Sequence, residues 1–80
     1  MADNRIPTLS QYKNLVKEHL QHYIKDKKAL DEYMKNEETV ELIESRYEED
    51  LEDYRNGKFT ARVFREGCVA SVGYCLYMLY

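Results

Sequence analysis

The sequence is short of the residues that interrupt helices. Its 80 residues include one proline and three glycines, and neither type occurs between Thr8 and Asn56. Proline and glycine are the strongest local breakers of regular structure, so this long middle section is expected to be helical. A chain of this length makes at most one domain and buries roughly 60% of the surface that its unfolded form exposes. Its stability is therefore expected to be marginal unless something supplements the core.

Cysteine is also scarce, and its two copies, Cys68 and Cys75, lie in the last third of the chain. A secreted domain held by disulfides would carry more, so both thiols are expected to be reduced core residues. Along one helix they would lie about 10 Å apart, too far for a disulfide. Their spacing also excludes a CxxC redox pair and half of a zinc finger. The N-terminal residues lack the apolar stretch of a signal peptide, and we expect a cytoplasmic location.

Positive charge is neither abundant nor concentrated. The net charge is −3, and its distribution is uneven: residues 1–36 carry +2, residues 37–58 carry −6 and residues 59–80 carry +1. Binding to phosphate backbones needs a concentrated cationic face. The one basic cluster, at positions 25, 27, 28 and 35, is interrupted by acids. Direct binding to nucleic acid is therefore not expected.

The C-terminal stretch has no charge at all from Cys68 to Tyr80. These thirteen residues would form a helix of about 20 Å, against the ~30 Å hydrocarbon core of a bilayer. The stretch is too short to span a membrane, and no membrane partner is expected. It must instead be covered by the other helices, by a second copy or by another partner.

Residues 8–35 are predicted to form two helices, about 8–25 and 27–35, after a flexible arm at 1–7. Thr8 and Gln11 fit a capping box, and Asp26 is a plausible cap for the second helix. One continuous helix to about Lys35 is the alternative. The break near Lys25 and Asp26 is favoured because both apolar stripes can then face one core. The first stripe comprises Leu9, Tyr12, Leu15, Val16, Leu20, Tyr23 and Ile24.

A third helix is predicted over 37–56. Asn36 is a capping residue, the acids that follow it suit the positive end of the helix dipole, and Asn56-Gly57 is a typical helix end. Apolar residues recur at steps of three and four. They are Val40, Ile43, Tyr47, Leu51 and Tyr54.

The last segment is predicted to be a helix over 60–79, although its β-branched residues and tyrosines would also suit a hairpin. A lone hairpin would leave two long edges to protect, whereas a helical stripe starts after the plausible cap Thr60. The stripe comprises Ala61, Phe64, Cys68, Ser71, Val72, Cys75 and Leu79. The predicted fold is all-α, with residues 8–80 in a single helical domain. It is a small three- or four-helix bundle packed around an apolar C-terminal helix.

No pattern in the sequence indicates catalysis, a cofactor or a metal. His19 and His22 are three apart, but zinc needs three or four ligands and only Glu18 is near, so both are expected to be ordinary packing and surface residues. The acids before Asn56-Gly57 do not match the spacing of a calcium loop. An enzymatic function is therefore not expected.

The acidic third helix is one candidate binding face. Five glutamates flank its apolar side: Glu37, Glu41, Glu44, Glu48 and Glu52. Several are i,i+4 pairs of like charge, each costing about 0.2–0.5 kcal/mol. The simpler hypothesis is a solvated face paired in part with Lys25, Lys27, Lys28 and Lys35. The sharper hypothesis is a regulatory or inhibitory binder, of the phage or mobile-element accessory type, in which this face meets a basic, possibly nucleic-acid-binding, protein.

Tyrosines in the uncharged stretch mark a second candidate surface. Tyr74, Tyr77 and Tyr80 recur at three-residue steps. A tyrosine suits core margins and interfaces because its hydroxyl needs water or a partner. They form either a lid on the core or a self-association surface. The function we expect is protein–protein interaction, with self-association through the C-terminal helix and a dimer as the favoured oligomer.

Overall fold

The computed structural model describes residues 6–80, which form four helices and contain no strand. The helices are α1 (Leu9–Leu20), α2 (Lys27–Lys35), α3 (Glu37–Arg55) and α4 (residues 61–79). The all-α class and the small helical bundle are confirmed. Residues 1–5 of the predicted arm lie outside the described residues.

The helix starts follow from capping side chains that the sequence already displays. In α1 the Thr8 hydroxyl accepts from the Gln11 amide at 3.2 Å, while the Gln11 side chain accepts from the Thr8 amide at 2.9 Å. Asp26 accepts from two amides at the start of α2, and Asn36 accepts from the Glu38 amide at the start of α3. Each cap satisfies amides that have no partner inside the helix.

The first helix ends at Leu20, five residues before its predicted end. The amides of Tyr23 and Ile24 both donate to the Leu20 carbonyl, at 3.0 and 2.8 Å, and close a turn. This turn carries Ile24 into the core, where it is 6% exposed, and leaves Tyr23 41% exposed. The assignment of Tyr23 to the core stripe was therefore wrong, because the helical period stops before it.

The start of the described chain is held against the bundle. Pro7 is buried, and Ile6 is half-buried against the core. The Tyr47 hydroxyl in α3 donates to the Pro7 carbonyl at 2.7 Å. These two residues of the predicted flexible arm are thus anchored by α3.

Phe64 in α4 is the centre of an aromatic cluster. It is fully buried, and four rings meet it edge-on at centroid distances of 5.7–6.1 Å. They belong to Tyr12, Tyr47, Tyr54 and Phe59. Edge-to-face pairs of this kind contribute about 0.5–1.5 kcal/mol beyond their buried area. The cluster joins α1, α3 and α4 at the point where α4 begins.

The fourth helix contains a π turn, which the sequence pattern did not predict. After a short α-helical turn at Ala61–Val63, residues Phe64–Cys68 form a π turn, and Val69–Leu79 return to the α-helical period. The buried Val69 therefore follows the buried Phe64 by five positions, instead of the four of an α-helical turn.

The π turn changes which side of α4 faces the core. Beyond Phe64 the buried residues are Val69, Val72, Gly73 and Leu76. Cys68 is half-buried and Cys75 is exposed, and Ser71 and Leu79 are also exposed. The predicted core positions of Cys68, Ser71, Cys75 and Leu79 were wrong, because the extra residue rotates the helix by about one position relative to an uninterrupted α-helix.

Candidate functional site

The outward side of α4 is an apolar surface that the other helices of residues 6–80 do not cover. Tyr74 is 54% exposed, Met78 is 65% exposed and Leu79 is 68% exposed. At 100° per residue, Tyr74 and Met78 lie opposite the buried positions of this helix. We call the exposed residues Tyr74, Cys75, Tyr77, Met78, Leu79 and Tyr80 the α4 surface.

Two of the three predicted surface tyrosines also contact the chain itself. Tyr77 is 39% exposed and stacks on Tyr23, with ring centroids 4.6 Å apart and an angle of 21°. Tyr80 is 59% exposed and meets Tyr33 edge-on at 5.0 Å. The structure places Tyr74 and Tyr77 on the surface of α4 and Tyr80 at its C-terminal end. Tyr74 is the one of the three for which no ring contact is formed within residues 6–80.

Tyr33 holds the end of α4 through its hydroxyl. It donates to the Leu76 carbonyl at 2.7 Å. Burial raises the pKa of Tyr33, so the hydroxyl keeps its proton for this bond. The α4 surface is thereby fixed to α2.

The predicted acidic face is exposed in the structure. Four of its members are exposed and Glu44 is half-buried. The Lys13 ammonium of α1 lies 3.4 Å from the Glu44 carboxylate. Of the ion pairs formed within residues 6–80, none joins these glutamates to the lysines at 25, 27, 28 or 35. The simpler hypothesis expected lysines to neutralise part of the acidic face. Among the described residues, Lys13 is the lysine that pairs with one of these five glutamates.

A buried polar cluster surrounds Asp50, which the sequence analysis does not predict. Asp50 is 9% exposed, and it accepts a hydrogen bond from the fully buried Tyr12 hydroxyl at 3.0 Å. The Cys68 thiol faces the same carboxylate. The Arg46 guanidinium is one helical turn away, with a buried Nε that has no acceptor within residues 6–80. One signal was available, since Asp50 follows Ile43 and Tyr47 at helical spacing and so lies on the inward side of α3.

The surroundings of the cluster raise the pKa of three side chains, those of Asp50, Tyr12 and Cys68. Burial raises the pKa of Asp50, while the Tyr12 hydrogen bond and the Arg46 charge act in the opposite direction. Burial and the Asp50 charge raise the pKa of Tyr12, and burial, aided by Asp50, raises the pKa of Cys68 to about 11. A thiol with such a pKa is a poor nucleophile at neutral pH. The cluster joins α1, α3 and the π turn, and it resembles a structural hydrogen-bond network more than a reactive site.

Of the two histidines, His19 packs between α1 and α4. His19 is half-buried and lies against Gly73, and its ring meets Tyr23 edge-on at 5.6 Å. His22 is exposed. Within residues 6–80 no three His, Cys, Asp or Glu side chains are grouped so that they could hold a metal ion.

Comparison of the chain with protein-family models, with curated proteins and with solved structures gave no match. None of the helices in the part of the chain that the structure describes has the length and apolar character needed to cross a membrane. The candidate surfaces are therefore argued from the exposure, contacts and charge of their own residues.

Proposed function

We propose that this chain is a small non-enzymatic protein of the cytoplasm that acts through protein–protein interaction and self-associates through the α4 surface. The observation that carries the proposal is the exposure of Tyr74 and Met78, on the outward side of a stretch with no charged residue from Cys68 to Tyr80. Exposed apolar patches that exceed a few hundred Å² are typical of interaction sites.

The size of the surface supports an interface. With roughly 200 Å² for a whole tyrosine, the exposed fractions of Tyr23 and the three α4 tyrosines leave about 400 Å² of aromatic surface. Met78 and Leu79 add to it. A standard interface buries about 800 Å² on each partner, so a symmetric contact between two such surfaces approaches this class.

A second copy of the chain fits the character of this surface. The side chains of the α4 surface carry no formal charge, so a charged partner gains little from it, whereas an identical surface matches it. Two-fold contacts in which both partners use the same patch are the commonest arrangement in soluble oligomers. The proposed oligomer is therefore a dimer.

The test is the mass in solution as a function of concentration. We expect the wild type to reach the mass of a dimer at high micromolar concentration, and Met78→Lys to stay monomeric. Val63→Lys is the matched control, because Val63 is 46% exposed on the same helix but roughly 16 Å along its axis from Tyr74. A wild type that is strictly monomeric at high micromolar concentration would contradict the proposal and leave the fold unaffected.

A second candidate function uses the acidic face as a binding surface for a basic protein. It is favoured by the exposure of Glu37, Glu41, Glu48 and Glu52 and by their lack of ion-pair partners within residues 6–80. Binding to a cationic partner would relieve the repulsion between like charges along α3.

A basic polypeptide such as polylysine can serve as the probe for this candidate. We expect Glu48→Gln with Glu52→Gln to weaken binding, and the effect to shrink as salt is raised. The control is Glu18→Gln with Glu32→Gln, which removes the same charge from exposed positions outside α3. If both double variants lose the same amount of polylysine binding, the loss follows from net charge alone, and the acidic face is not a specific binding surface.

A further inference from the structure

The uncharged stretch of α4 has two apolar sides. An α-helix that ran on from Phe64 without a π turn would place Cys68, Ser71, Cys75 and Leu79 towards the core and turn Leu76 outward. The observed helix does the reverse: Leu76 is 1% exposed, whereas Leu79 is 68% exposed and Cys75 is exposed. The helical period alone does not choose between these two registers, so another feature of the fold makes the choice.

The π turn is the feature that separates the two registers. It ends at Cys68, directly before the buried Val69. Because Val69 follows Phe64 by five positions across the π turn, both side chains face the core, and Cys68 also reaches the edge of the Asp50 cluster. Single π turns inside α-helices are rare, and this one is retained by contacts on both of its flanks.

Two contacts join α4 to α1 and α3 in the observed register, and a third joins α1 to α3 beside the π turn. Asp50 receives the Tyr12 hydroxyl at 3.0 Å and brings α1 and α3 together beside the π turn. Gly73 lies against His19, which a Cβ at position 73 would have to displace. Ser71 on the outward side lies within 3.5 Å of the Arg46 guanidinium. In the other register Gly73 and Ser71 would leave these neighbours.

We infer that the π turn at Phe64–Cys68 is a register selector for α4, held by the Tyr12–Asp50 hydrogen bond, and that it decides which apolar side faces outward. Tyr74 and Met78 form the outward surface because the turn adds one residue to the helix. This selection takes place within one chain and does not depend on self-association.

The register can be measured from the alkylation rates of cysteines at positions 75 and 76, because each register exposes one of these positions and buries the other. Cys75 is exposed in the observed register and would be buried in the other. A cysteine introduced by Leu76→Cys in a Cys75→Ser background behaves in the opposite way. Alkylation by N-ethylmaleimide, followed by peptide mapping, measures the rate at each position, at a concentration where the protein is monomeric. In otherwise wild-type protein we expect Cys75 to react at least tenfold faster than the cysteine at position 76.

Removing the Asp50 carboxylate tests what holds the turn. We expect Asp50→Ala to lower the ratio of the two rates at least tenfold, while Glu49→Ala, which removes an exposed acid from the adjacent position, leaves it unchanged. An unchanged ratio in folded Asp50→Ala would overturn the inference. Should Asp50→Ala fail to fold, Tyr12→Phe removes only the hydroxyl and is judged by the same ratio.

Deleting Gly67 tests the turn itself. The deletion places Val69 four residues after Phe64, so that an uninterrupted α-helix keeps both side chains on one face. We expect the deletion variant to fold with the wild-type ratio, and we expect Asp50→Ala to have no effect on the ratio in that background. Protection of Cys75 in the deletion variant would show that the number of residues in the turn does not set the register.

Discussion

The His19 imidazole of α1 lies directly against Gly73 of α4. A Cβ at position 73 would lie 2.5 Å from the Cδ2 atom of His19 and 3.3 Å from its Cβ. His19 in turn meets Tyr23, and Tyr23 stacks on Tyr77 at 4.6 Å. The Gly73–His19 contact is thus connected to the α4 surface through the rings of Tyr23 and Tyr77.

Gly73→Ala is expected to destabilise the protein. The added methyl group must displace a histidine whose own Cβ is close, and overpacking of this kind costs about 1–3 kcal/mol. The better helix propensity of alanine returns up to about 1 kcal/mol, so the net effect is a loss measurable by urea denaturation. Gly67→Ala is the matched control, because a Cβ there makes ordinary contact with Val63 at 3.4 Å. Equal stability of the two variants would contradict the packing described for Gly73.

Phe64→Ala is expected to remove most of the stability of the fold. It deletes a fully buried ring that four other aromatic rings contact, and truncations of this type cost about 3–5 kcal/mol. Domains are stable by only about 5–15 kcal/mol in total. Thermal unfolding followed by circular dichroism measures the loss. The neighbouring exposed Val63→Ala should change stability by no more than about 0.5 kcal/mol.

Burial of Asp50 is expected to make the stability of the protein depend on pH. Its pKa is raised by burial from the ordinary value of 3.8, so the folded state binds this proton more tightly than the unfolded chain does. Its contribution to stability is present in full below the ordinary pKa and is lost as the pH rises through the raised pKa. Asp50→Asn, which cannot ionise, should therefore gain stability relative to the wild type as the pH is raised from below to above the ordinary pKa of 3.8.

Denaturation curves of wild type and Asp50→Asn across this pH range measure the difference. Glu48→Gln, at an exposed position of the same helix, is the control. It shows whether removal of any acid from α3 changes the pH dependence of the free energy of unfolding in the same way. A difference between Asp50→Asn and the wild type that is constant with pH would mean that burial does not raise the Asp50 pKa.

The two thiols are expected to react very differently. Cys75 is exposed, whereas Cys68 is half-buried with a pKa of about 11. At pH ~8 about one Cys68 in a thousand carries the thiolate that alkylating reagents attack. Iodoacetamide should label Cys75 first, and Cys75→Ser should be labelled only slowly. If the α4 surface is a dimer interface, labelling of Cys75 in the wild type should also slow as the protein concentration is raised.

Much of the helical architecture could be predicted because its signals are local. Thr8, Asp26 and Asn36 are caps whose side chains bond to amides two or three residues away, and Gly57 takes the positive φ of 75° that ends α3. The early end of α1 could not be predicted, since the apolar period continues through Ile24 although the helix does not. The burial of Ile24 in a turn depends on α2 and the core.

The sequence by itself determined the all-α class, the starts of the helices, the acidic side of α3 and the lack of charge in the last thirteen residues. These features could be read from the sequence because helix caps, the apolar period and local composition involve only a few neighbouring residues. Only the tertiary structure decided that Asp50 is buried, that Cys75 faces outward, and that Tyr74 and Met78 are left uncovered. The exposure of Cys75, Tyr74 and Met78 depends on the π turn, whose extra residue rotates α4 relative to a continuous helix. That turn is surrounded by contacts between Phe64, Tyr12 and Asp50, which lie far apart in the chain and meet only when it folds.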